Sequence, residues 1–168
     1  MTVRQGCTRR RALRGAAGTL TAAALAVTAD AGRAVAQVTT LRPLAFGTVI
    51  TGTSTAVAPT DARAAVWRIR GILGVSGGVT FTLPTVLTRV GGGSTMPVTF
   101  CATCGVYRVN GATPVGGTVF DPRLGVQGLY VVVLSDVYVW LGGSVTPPLN
   151  QPPGSYVGTM VLTVSALL

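Results

Sequence analysis

The chain of 168 residues contains no histidine, and neither lysine nor glutamate occurs anywhere in it. Those absences remove Ser-His-Asp, Cys-His and Ser-Lys catalysis at once, because each needs a base that is missing. Beyond residue 36 the only carboxylates are Asp61, Asp121 and Asp136 and the only thiols are Cys101 and Cys104. A zinc site takes about four ligands, so neither a structural nor a hydrolytic metal centre is expected. A glycosidase needs two carboxylates held close together. Asp61 in Pro-Thr-Asp and Asp121 in Asp-Pro carry turn signals, and Asp136 stands between two apolar runs where a hairpin turn is expected. Gly91-Gly92-Gly93 has neither the lysine nor the strand–loop–helix setting of a phosphate loop. The expectation is a protein that is no enzyme and holds no cofactor.

Acidic residues are also scarce, four against thirteen arginines, for a net charge of +9. Six of those arginines (Arg4, Arg9, Arg10, Arg11, Arg14 and Arg33) fall in the first 36 residues. The rest of the chain keeps Arg42, Arg63, Arg68, Arg70, Arg89, Arg108 and Arg123 against three aspartates, and only Arg68 and Arg70 are close in sequence. Nucleic-acid binding needs clustered cations, and this distribution does not predict it.

Residues 1–36 read as a cleaved signal peptide. A basic stretch to Arg14 is followed by the apolar run Gly15 to Ala29, then by Ala34-Val35-Ala36, an A-x-A site that places cleavage before Gln37. The run is too short to cross a bilayer as a helix, which takes ~20 residues. Thr8-Arg9-Arg10-Arg11-Ala12-Leu13-Arg14 resembles the twin-arginine export signal, and an ordinary Sec leader fits as well. Either route delivers the chain to the periplasm, the cell surface or the medium, with no membrane span in the mature form. There, the two cysteines of Cys-Ala-Thr-Cys are most simply a disulfide. A redox centre is the alternative, although such chemistry wants the first cysteine at a helix N-terminus.

Helical periodicity is missing after the leader, and strand signals recur instead. Ala65, Trp67 and Ile69 share one face, as do Val79, Phe81 and Leu83, and Val137, Val139 and Leu141. Leu129 to Leu134 is a continuous apolar run suited to a central strand, and Tyr156 to Ser165 alternates near the end. Shorter candidates are 44–50, 97–101, 106–109 and 118–120. Gly77-Gly78, Asn110-Gly111, Gly116-Gly117 and Pro152-Pro153-Gly154 punctuate them. About seven to nine antiparallel strands over 37–168 predict an all-β sandwich domain. Phe46, Trp67, Ile69, Phe81, Leu83, Phe100, Tyr130, Val132, Leu141, Tyr156, Met160 and Leu162 are its expected core.

Two motifs carry a family resemblance. Near the start stands Leu44-Ala45-Phe46-Gly47, an L-x-F-G motif. Near the end, Gly142-Gly143-Ser144-Val145 leads to Gly154-Ser155-Tyr156-Val157-Gly158-Thr159 and an alternating strand. Together they resemble a bacterial secreted domain of unknown function, a sister of spore coat protein U and of archaic chaperone–usher pilin subunits. The resemblance spans roughly 41–166. It implies an immunoglobulin-like, pilin-like sandwich and a function as a structural or adhesive surface subunit of a fimbrium or coat. Its partners would be other subunits, a periplasmic chaperone and an usher, joined by β-strand addition. Residues 37–40 make a short donor strand, and cleavage after Ala31 would lengthen it only to Gly32–Thr40. The chain then accepts a strand without donating one, or 37–40 folds back and the sandwich is a self-complete binding module.

Overall fold

The structure, a computed structural model, describes residues 37–70, 76–130 and 135–166. They belong to one compact unit, Arg33–Leu168. The leader with Ala34 and Ala36, together with Val132 and the side chain of Tyr130, lies outside the described residues.

All regular structure among the described residues is β. The strands are β1 (Gln37–Arg42), β2 (Thr55–Val57), β3 (Ala65–Arg70), β4 (Ser76–Thr82), β5 (Val86–Arg89), β6 (Thr95–Thr99), β7 (Gly105–Val109), β8 (Thr118–Phe120), β9 (Val126–Tyr130), β10 (Asp136–Leu141), β11 (Gly143–Val145), β12 (Tyr156–Val157) and β13 (Val161–Ala166). They pair antiparallel in three sheets of order β1-β3-β10-β7-β8, β12-β5-β6-β11-β2 and β13-β4-β9.

The first sheet forms one layer and the other two share the opposite layer. Ala65, Trp67 and Leu141 pack on Met96, Val98, Phe100 and Val145 of the second sheet and its flanks. Ile69, Val137 and Val139 pack on Val79 and Leu129 of the third. The alternation of β3 and β10 dictates this, because successive side chains on a strand point to opposite faces. Burying each such side chain contributes about 1.5–3 kcal/mol. The fold is therefore a β-sandwich in plan.

Several elements differ from the sequence expectation. The thirteen short strands exceed the expected seven to nine because long apolar segments break where the chain changes sheet. Tyr156 to Ser165 is one such case: β12 pairs with β5, whereas β13 pairs with β4. The change falls at Gly158, where a Cβ would meet Leu87 at 2.7 Å. The stretch 44–50 forms no strand; Pro43 lacks a donor, and Gly47 takes φ +72°. Of the run Leu129 to Leu134, Leu129 and Tyr130 close β9, which pairs with β4, and 131–134 lie outside the described residues. Asp136 sits not in a turn but at the first position of β10, opposite Arg70. Gln37 to Arg42 folds back as β1 along β3, from Gln37↔Arg70 to Arg42↔Val66 with one bulge.

Candidate functional site: an apolar groove between the two motif segments

The opening and closing motif segments, more than a hundred residues apart in sequence, form the two walls of one groove. One wall is the irregular 43–51 segment. Its Ala45 N–H donates to the Arg63 carbonyl (3.0 Å), and the Arg63 guanidinium donates to the Phe46 carbonyl (3.2 Å). Asp61 holds Arg63 in place through paired hydrogen bonds. This anchoring turns Leu44, Phe46 and Val49 onto the core. The other wall is 151–160. Tyr156 donates its hydroxyl proton to the Pro152 carbonyl (2.7 Å), and the Val90 N–H donates to the Ser155 carbonyl (2.8 Å).

The floor is Leu87, Met96, Val98, Phe100 and Val145, and the groove encloses about 820 Å³. Among its polar lining residues Gln151 is buried, and its Nε2 has no hydrogen-bond partner among the described residues. Phe46, Leu83, Tyr156, Met160 and Leu162 are only half-buried, and so is Phe81. By contrast Trp67, Ile69, Phe100 and Leu141 are buried as expected. The core is sealed where β3 and β10 lie and open where the groove runs.

Six of the nine motif residues line this groove: Leu44, Phe46, Gly47, Gly154, Tyr156 and Gly158. Thr159 lies in the link between β12 and β13 without lining it. Gly142 and Gly143 stand instead at the β10–β11 corner. A Cβ on Gly142 would run into the Val57 carbonyl oxygen, and one on Gly143 would press on the Phe100 ring at 3.1 Å. Gly143 thereby lets Phe100 lie in the groove floor. Gln37 is the first residue of β1 and is exposed, far from these contacts in sequence.

Cys101 and Cys104 are joined by a disulfide, with Cα atoms 5.0 Å apart. They close the turn between β6 and β7, where the Cys104 N–H donates to the Cys101 carbonyl (3.1 Å). Cys104 is buried and Cys101 exposed. No helix N-terminus stands beside them among the described residues.

Each of the three described aspartates is bound to an arginine: Asp61 to Arg63, Asp121 to Arg123 and Asp136 to Arg70. Hydrogen bonds from these guanidiniums hold all three carboxyls below the usual carboxylate range, Asp136 through Arg70 with no other side-chain donor. Asp61 and Asp121 also accept the backbone N–H two residues on, at 2.8 and 2.9 Å, and so serve as the turn caps expected of them.

Sequence reasoning missed a second, smaller cluster on the outer side of the first sheet, where Val66, Val106 and Trp140 are buried against Tyr138. Among the described residues no helix is long and apolar enough to cross a membrane. No family model matches the chain, and no curated protein matches it.

Proposed function

We propose that this chain is an exported, non-enzymatic structural or adhesive subunit of a bacterial surface assembly, pilus-like or coat-like, which takes an extended strand from a partner subunit into its groove. The observation that carries this reading is the groove itself, an open seam in an otherwise sealed core. Leu44, Phe46, Leu87, Tyr156 and Met160 along it are only half-buried, and the contrast extends beyond it to β13. Val137, Val139 and Leu141 of β10 are at most 2% exposed, yet the inward residues of β13, Leu162 and Val164, are only half-buried.

The strand order supports the same reading. β1-β3-β10-β7 follows the A-B-E-D order of an immunoglobulin-like sheet, with β4 and β13 in the places of C and F. The next strand in that plan would pair with the free edge of β13, and no described strand does. An apolar seam of this kind invites β-strand addition. The chain is then an acceptor, because its own β1 is engaged along β3. A chaperone and an usher would handle it on the way, and the leader and the disulfide fit an oxidising compartment.

The test is titration of the purified exported chain with a peptide alternating valine and threonine, long enough to span the groove. The unfolding midpoint should climb with peptide concentration, as mass action requires of a ligand bound only by the folded state. The second reading, a self-complete binding module, draws on the fold-back of β1. It requires a reversible monomer whose midpoint no extended peptide shifts.

A further inference from the structure

The arginines that look scattered in the sequence are gathered by the strand register onto one surface. Thr39 of β1, Arg68 of β3, Tyr138 of β10 and Arg108 of β7 stand side by side in one row across the first sheet. The inward neighbours of this row, such as Ile69 and Val139, belong to the core, so the row lies on the outer face. Arg42 pairs beside Val66 one row along, on that same face. Three of the seven described arginines are neutralised by aspartates. Of the remaining four, Arg42, Arg68 and Arg108 share this face.

The row is a shaped surface and not merely a charged one. Tyr138 stands between Arg68 and Arg108 and stacks on Trp140, with ring centroids 6.0 Å apart and planes 22° from parallel. Trp140 is buried and Tyr138 half-buried, so the tyrosine ring is a fixed platform. Arg108 is held by its bonds to the Val115 carbonyl and to Thr113. Arg68 is half-buried, and its Nε has no hydrogen-bond partner among the described residues.

We infer that this outer face binds an acidic polysaccharide, with the Tyr138 ring under a sugar and Arg68 and Arg108 on carboxylates to either side. The charge spacing selects that class. Two inter-strand spacings separate Arg68 from Arg108 along the sheet, about 10 Å, close to the length of a disaccharide. A guanidinium takes a carboxylate in paired hydrogen bonds, and an aromatic ring offers the apolar face a sugar ring needs. A nucleic-acid strand carries a phosphate every ~3.4 Å, far denser than these cations, and most of its charge would go unmatched. The inference does not depend on strand addition, which uses the groove on the inner side.

The test is calorimetric titration of the purified exported chain with hyaluronan, whose single carboxylate per disaccharide matches that spacing. Its fully methyl-esterified form and a single-stranded DNA oligomer serve as comparisons. Hyaluronan should bind, less tightly as salt rises, and the ester should not. Arg68→Gln should weaken binding about tenfold, the loss of one charge-assisted contact, and Tyr138→Thr should weaken it similarly. Arg89→Gln, on another sheet, should change nothing. Far-UV circular dichroism checks folding, and if Tyr138→Thr fails to fold, Arg68→Gln decides. No binding by the folded wild type, equal binding of the ester, tighter binding of the DNA, or wild-type affinity in Arg68→Gln would each overturn the inference.

Discussion

A methyl group on Gly142 would meet the carbonyl oxygen of Val57 and crowd the backbone of Ala58 and Pro59. Backbone cannot swing aside as a side chain can, so Gly142→Ala should destabilise the fold by about 1–3 kcal/mol. A urea midpoint equal to wild type would show that the corner relaxes freely. The titratable side chains give a second prediction at this scale. All three described aspartates have their pKa lowered by arginine, so each adds stability above its ordinary value of ~3.9 and loses it as pH falls through the depressed folded value. There is no histidine to titrate near neutrality. The melting temperature should therefore be flat from about pH 5 to 8 and decline below about pH 4. A slope near pH 6.5 would contradict this assignment.

Between elements, the contrast that matters is β10 against β13. Both alternate apolar residues inward, but only β10 is covered on both sides. Leu141 is fully buried, and Leu141→Ala should cost about 2–5 kcal/mol. Leu162 is half-buried, and Leu162→Ala should cost about 1 kcal/mol in the free chain, near the centre of ordinary mutational losses. Equal losses at the two sites would mean the seam is closed in solution. The same contrast explains what the sequence makes legible. The inward faces of β3 and β10 can be read directly, since Ala65, Trp67 and Ile69 or Val137, Val139 and Leu141 alternate and bury alike. Leu44, Phe46 and Val49 carry an apolar pattern too, yet form no strand, because a strand needs a neighbour and pattern alone does not supply one. The half-burial of Tyr156 and Met160 is likewise a property of what lies opposite them. The row of Arg68, Tyr138 and Arg108 becomes visible only with the register, since these residues lie thirty or more positions apart in sequence.

For the whole molecule, the sealed and open halves of the core make the fold asymmetric. One layer is continuous from β1 to β8, and the other is split between two sheets with the groove at one side. Such a sandwich gains most from an added strand at the unpaired edge of β13, where new backbone hydrogen bonds and burial of Leu162 and Val164 come together. The most direct measurement is backbone amide hydrogen exchange along β13, with and without the alternating valine–threonine peptide. The β13 amides not bonded to β4 should exchange quickly in the free chain and become protected when the peptide is added, while β10 stays protected throughout. Protection of every β13 amide in the free chain, or no change on adding peptide, would contradict it.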